Sequence, residues 1–263
     1  MADQKLKGKV AIVTGGGSGI GRASVLEFAR HGAKVVLLDR TVEKAEKVKR
    51  QVEQEGGEAI VIGCDVSQPE QVEAAVNQAA EQWGRLDVVF ANAGINGTMA
   101  PIETMKMEEW DQTIQINLRG TFATVKYAIP HLKNHGGSIL INSSINGNRV
   151  FSNIGFSAYS TTKAGQVAFM KMAALELAQF KIRVNAICPG AIKTEIGDNT
   201  FPSDDLEEVK IPVEFPEGDQ PLEEGPGSAA QVAKLALFLA SEDSNHITGT
   251  EIYCDGAESL LHG

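Results

Sequence analysis

The sequence predicts one α/β domain built on a parallel sheet, and three observations predict it. Short apolar, β-branched runs alternate with helix-length segments, the pattern of strands covered on both faces by crossover helices. A glycine-rich turn joins the first such run directly to the first helix. The alternation then fills all 263 residues without a linker, so the chain reads as one domain.

Taken in order, the first half places strands at 9–14 (KVAIVT), 34–39 (KVVLLD), 58–63 (EAIVIG) and 86–91 (LDVVFA). Between them, 19–31, 41–55 and 69–83 read as helices; Val42, Ala45, Val48 and Val52 make one apolar stripe on a charged segment. The second half has longer helices. Residues 107–133 precede the strand 138–143, and 158–180 precede 182–187. Residues 228–241, with Val232, Leu235, Ala236 and Leu239 at helical spacing, precede the last strand, TEIYCD. Seven strands and six crossovers result. The exception is 195–227, where Pro202, Pro212, Pro216, Pro221 and Pro226 stand among many acids. So long a loop suggests a mobile lid, with Phe201, Ile211, Val213 and Phe215 folding down over a pocket.

The chemistry-bearing residues fall at the carboxyl ends of these strands, where open parallel sheets bind ligands. TGGGSGIGR (14–22) opens the first helix with Gly15, Gly19 and Gly21. Glycines there allow close backbone approach, and the helix N-terminus offers free N–H groups to a pyrophosphate. The second strand ends at Asp39, a carboxylate able to accept from both ribose hydroxyls of an adenosine and to repel a 2′-phosphate. That favours NAD over NADP, although Arg40 stands next to it and a helix-capping role is the plain alternative. Asp65, after the third strand, and Asn92-Ala93-Gly94, after the fourth, line the same crevice. Tyr159 and Lys163 are four apart, hence one turn apart on a helix face. A neighbouring cation favours the phenolate, but the pair by itself occurs in many helices.

The ordered set is specific where its members are not. T-G-x-x-x-G-x-G at 14–21, Asp39, Asp65, N-A-G at 92–94, Asn117 in NLRG, S-x-x-G at 144–147, Y-x-x-x-K at 159–163 and P-G at 189–190 resemble the short-chain dehydrogenase/reductase family. The resemblance covers nearly the whole chain. It implies a doubly wound, seven-stranded Rossmann fold and a nicotinamide cofactor, here NAD, held by Gly15, Ser18, Gly19, Ile20, Gly21, Asp39, Asp65, Val66, Asn92, Ala93, Gly94, Pro189, Gly190, Ile192 and Thr194 together with Tyr159 and Lys163. It further implies that Tyr159 is the general acid or base, that Lys163 lowers its pKa and binds the nicotinamide ribose, and that Ser144 polarises the substrate oxygen. Asn117 would anchor a water chain returning protons to Lys163, and Thr194 would bind the carboxamide of the nicotinamide. Ser143 competes with Ser144, because the fifteen residues from Ser144 to Tyr159 exceed the usual family spacing; the excess falls in NGNRVFSNIGF.

A net charge of −10 argues against nucleic acid and anionic membranes as partners. No run is apolar enough for a membrane span, and MADQKLKGK is no signal peptide. Cys64, Cys188 and Cys254 sit in apolar runs and read as core thiols of a cytoplasmic protein. His131 and His135 have metal-pair spacing but lack the rest of a metal motif, so no metal is expected. Arg149 reads as a surface residue rather than an anion ligand. The expected activity is hydride transfer between NAD(H) and a small secondary alcohol or ketone. Reduction of a 3-oxoacyl thioester is the alternative within the family, and a non-redox epimerase or dehydratase the more distant one. Apolar residues on more than one face of 107–133 and 158–180, namely Phe122, Val125, Phe169, Met170 and Met172, predict a partner subunit. The family resemblance implies that this assembly is a homotetramer.

Overall fold

The computed structural model describes residues 4–209, 211 and 218–262. Among them the seven expected strands form one parallel sheet. They are β1 (Val10–Thr14), β2 (Lys34–Asp39), β3 (Glu58–Gly63), β4 (Val88–Ala91), β5 (Gly137–Asn142), β6 (Ile182–Pro189) and β7 (Glu251–Cys254). Their order across the sheet is β3-β2-β1-β4-β5-β6-β7. The chain therefore reverses its direction of travel between β1 and β4, which pair at Val13↔Phe90 while β1 also pairs β2 at Val13↔Leu37. A crevice opens at the carboxyl ends of strands where such a reversal occurs.

Alternating strand residues feed two cores, as the period of two requires. Val10 and Ile12 face one side, covered by α3 (Pro69–Trp83), α5 (Gly120–Leu132) and α6 (Ser157–Leu177). Ala11 and Val13 face the other, covered by α1 (Gly19–Arg30), α2 (Val42–Gln54) and α7 (Ala229–Ala240). In α2 the expected stripe is buried at Ala45, Val48 and Val52; Val42, in the first turn, is exposed.

Two segments differ from the sequence expectation. The helix anticipated at 107–133 is α4 (Met107–Thr113), a π-helical turn (Ile114–Arg119) that contains Asn117, and α5. The π turn changes the backbone register at Asn117. The stretch 195–227 is not a structureless loop. Its strand Thr200–Pro202 pairs in parallel with Gly97–Met99, and Gly227–Ser228 pairs with Ile192–Lys193. Phe201 and Ile211 are exposed and do not fold down over a pocket. Pro212, Val213, Phe215 and Pro216 lie outside the described residues.

Candidate active site

Three contiguous cavities run along the carboxyl ends of the strands. One of 230 Å³ is lined by Asp39, Asp65, Val66 and Ala93, and a 110 Å³ neck by Gly15, Ser18, Gly19 and Asn92. The third, of 460 Å³, holds Ser144, Tyr159, Lys163, Pro189, Gly190 and Thr194, with Ile20, Ile192 and Gly94 also on its wall. The sequence-predicted residues are thus brought into one cleft, apart from Gly21, which shapes it from behind. A Cβ on Gly21 would stand 2.0 Å from the Gly15 carbonyl oxygen, and Gly15 itself has φ +66°. Only glycine permits that approach. Asn117 lies below the cleft floor.

The floor is stitched by hydrogen bonds that follow from residue type. Thr14 Oγ1 accepts from the backbone N–H groups of Asn92 and Ala93, and Asn92 Nδ2 donates to the Thr14 carbonyl. The Asn117 carboxamide pairs with Ile95 like a strand residue: Nδ2 donates to the Ile95 carbonyl at 2.8 Å and Oδ1 accepts its N–H at 2.9 Å. Asp39 uses both oxygens, accepting from Gly17 N–H and from Thr41 N–H, each at 2.8 Å. Its carboxylate is therefore held at the end of β2. Asp65 Oδ1 accepts from the N–H and Oγ of Ser67, so the plain turn-forming role and a place in the cleft coexist.

The two candidate serines are placed differently. Ser143 Oγ donates to the Lys163 carbonyl and accepts from Asn148 Nδ2, which makes it a structural pin. Ser144 Oγ accepts from the Asn146 N–H at 3.1 Å, and the serine favours the Tyr159 phenolate. Lys163 Nζ donates to the Asn142 carbonyl at 2.7 Å and lies 5.4 Å from the Tyr159 ring centre. A serine hydroxyl, a phenol and an amine therefore converge at one end of a dinucleotide-sized cleft.

The chain is similar to known proteins along nearly its whole length. A family model described as enoyl-(acyl carrier protein) reductase matches residues 15–257. Levodione reductase of Leifsonia aquatica is 35% identical over 257 residues, covering 97% of this chain and 95% of that protein. A 3-ketoacyl-ACP reductase structure from Sinorhizobium meliloti 1021 is 49% identical, with a TM-score of 0.92 over 96% of this chain and 99% of the other. A 3-ketoacyl-(acyl-carrier-protein) reductase from Brucella melitensis, complexed with NADH, is 31% identical with a TM-score of 0.84, covering 97% and 99%.

The chain is a short-chain dehydrogenase/reductase.

In this short-chain dehydrogenase/reductase the electrostatics of the free protein differ from the simple expectation that Lys163 acidifies Tyr159. Burial pushes the Tyr159 phenol up, and its hydrogen bond with Ser144 opposes that only in part. Burial also lowers the Lys163 ammonium to about 8. Desolvation disfavours both charged forms. Beneath them Cys188 is pushed up to about 12, chiefly by burial, and stays a thiol.

Two residues escaped the sequence reading. Glu195 Oε2 accepts from the Gly19 N–H at 3.1 Å, so a carboxylate occupies the free N-terminus of α1. Ser18, the residue before that helix, makes no capping bond of its own. Glu195 follows Thr194 directly, but no sequence signal links it to a turn 176 positions away. Gln166 donates through Nε2 to the Asn117 carbonyl and to Thr121 Oγ1, bracing the π turn. Its position one helical turn beyond Lys163 was the available clue. Of the residues set aside, His131 Nε2 bonds Asn77 Oδ1, and Arg149 stacks on Tyr253 at 3.5 Å from the ring centre.

Proposed function

We propose that this protein is an NAD(H)-dependent oxidoreductase that interconverts a secondary alcohol and its ketone. The observation that carries the reading is the convergence of Ser144, Tyr159 and Lys163 on one cavity continuous with the glycine turn and Asp39. The cleft fits a dinucleotide: the turn leaves no room for a Cβ at Gly21, and the N-terminus of α1 already accepts an anionic group, the Glu195 carboxylate. Gly15, Ser18, Gly19, Ile20 and Gly21 would hold the pyrophosphate and Asp39, Asp65 and Val66 the adenosine. Asn92, Ala93, Gly94, Pro189, Gly190, Ile192 and Thr194 would hold the nicotinamide half. When bound, the nicotinamide ring supplies the acceptor or donor of the hydride.

The chain's own residues manage the proton. Tyr159 Oη takes it from the alcohol or returns it to the ketone oxygen, and Ser144 Oγ donates to that oxygen as charge develops. Lys163, fixed by the Asn142 carbonyl, stabilises the phenolate when protonated and is placed to hold the nicotinamide ribose. Asn117 acts as a positioning residue: its side chain is committed to Ile95, and its carbonyl accepts from Thr121 and Gln166. The water chain to Lys163 would thus need a route other than that side chain.

Asp39 supports NAD over NADP, since its carboxylate meets any 2′-phosphate as a like charge. Arg40 and Lys44 line the same cavity. NADH formation followed at 340 nm with a panel of secondary alcohols tests activity and cofactor together. We expect kcat/KM with NAD to exceed that with NADP by about tenfold or more, the scale of about 1.4 kcal/mol of repulsion. Asp39→Ser should narrow the gap; equal or better use of NADP by the unaltered protein contradicts the reading. A 3-oxoacyl thioester belongs in the panel because of the 49% identity to a protein described as a 3-ketoacyl-ACP reductase. Against it stands the net charge of −10, which disfavours docking of an acidic carrier.

Glu195 competes with the cofactor for the same N–H. Glu195→Gln should tighten dinucleotide binding about two- to fivefold at low salt, the worth of one carboxylate at an exposed helix N-terminus. Fluorescence titration reads this, and the gain should shrink in high salt.

The exposed Phe122, Met172 and Leu175 on α5 and α6 support a partner subunit, with Phe122 edge-to-face on Phe169 at 5.5 Å. Val125 and Met170 turn inward to the core instead. Light scattering should give about four times the 28.1 kDa chain mass, and a monomer mass contradicts the assembly. The buried, unpaired Cys64 and Cys188 suit a reducing, cytoplasmic setting.

A further inference from the structure

The loop between Ser144 and Tyr159 lines the mouth of the cleft with two carboxamides, Asn146 and Asn153. The Asn146 N–H rests on Ser144 Oγ at 3.1 Å, so its carboxamide starts one side-chain length from the oxygen-binding hydroxyl. Asn153, supplied by the same loop, donates through Nδ2 to Asn146 Oδ1 at 2.6 Å. That bond orients both carboxamides. Asn146 Nδ2 and Asn153 Oδ1 are left without partners among the described residues, a donor and an acceptor side by side. Both residues line the 460 Å³ cavity with Tyr159, and Asn96 joins them. Asn96 Nδ2 donates to Thr200 Oγ1, and its Oδ1 is a further acceptor.

A purely hydrocarbon substrate would strip water from these amides and return nothing. A hydroxyl group, which donates once and accepts twice, satisfies the pair. We propose that Asn146 and Asn153 are the specificity element of this site and select a substrate with a second hydroxyl on the carbon next to the reacting one: a vicinal diol, oxidised to an α-hydroxy ketone. This rests on the dehydrogenase reading above. The balance is that of any alcohol oxidation. The reacting carbon loses its hydrogen with both electrons to NAD, its hydroxyl proton passes to Tyr159, and the neighbouring hydroxyl is held on the amides and unchanged.

The test compares matched pairs that differ by one hydroxyl, cyclohexanol against cyclohexane-1,2-diol and 2-butanol against 2,3-butanediol, with NAD. Because the amide pair is open to solvent on one side, we expect the diol to be favoured in kcat/KM by about ten- to a hundredfold, below the range for a sealed polar site. Asn153→Leu, on an exposed loop residue, should bring that ratio towards one. Unaltered dinucleotide binding and melting temperature would show that the variant is folded. A ratio near or below one in the unaltered protein, or a ratio that Asn153→Leu leaves in place, overturns the proposal. Absence of NADH from every alcohol of both pairs, with dinucleotide binding intact, instead overturns the dehydrogenase reading and the proposal with it.

Discussion

Tyr159→Phe is expected to lower kcat/KM for both alcohol oxidation and ketone reduction by about three orders of magnitude, within the range for removing a positioned general acid or base. The change deletes one oxygen from a side chain 9% exposed and leaves its ring against Phe156, whose centre is 5.4 Å away. Packing is conserved, so the melting temperature and the dinucleotide affinity should move little. The pH dependence separates this role from a structural one. Burial holds the phenol above its ordinary value in the free protein, so the phenolate becomes more abundant as pH rises. Oxidation by the unaltered protein should therefore speed up towards alkaline pH and reduction slow down. The residual activity of the Phe variant should lose that dependence. Steady-state rates at several pH values, beside a fluorescence titration of NADH, give both readouts. Retained turnover with a normal pH profile would remove Tyr159 from the chemistry.

Lys163→Met should be nearly inactive and, at neutral pH, more stable than the unaltered protein. The Lys163 side chain is buried, and its ammonium titrates at about 8 instead of the ordinary 10.5. Below pH 8 the lysine is charged in both folded and unfolded chains, so the folded state bears the full burial cost, about 3 kcal/mol at most. Above 10.5 it is neutral in both and the cost is gone. Between those values the unfolded chain binds more protons, and the stability of the unaltered protein rises with pH. Methionine removes the cost but leaves the Asn142 carbonyl without its donor, a loss of about 1 kcal/mol. Melting curves should favour the variant by a few degrees at pH 7, with the gap closing or reversing by about pH 10. A variant less stable at pH 7 than at pH 10, relative to the unaltered protein, contradicts this account. An active site that costs stability is the usual trade between function and folding.

The seven strands and the places of the helices were legible because parallel strands covered on both faces must be apolar along their length, while crossover helices need only one apolar stripe. The π turn at Ile114–Arg119 left no such mark, since Trp110, Ile114 and Ile116 keep an ordinary helical pattern through it. The loop 195–227 misled for a related reason. Two- and three-residue pairings such as Thr200–Pro202 with Gly97–Met99 are too short to carry a period. In the cleft, the glycine turn, Asp39, Asn92, Tyr159 and Lys163 were readable because each chemistry demands its residue type at the end of a particular element.

The sequence alone determined the architecture, through local periodicity, and it named the candidate site residues through motifs whose spacing binds them to a strand end or a helix face. Only the tertiary structure separated the surroundings of Ser143 from those of Ser144, brought Glu195 onto the first turn of α1, and paired the Asn146 and Asn153 amides on the wall of the cavity that holds Tyr159. Those outcomes depend on the direction in which a side chain points and on which distant backbone meets it. Residue spacing along the chain carries neither kind of information.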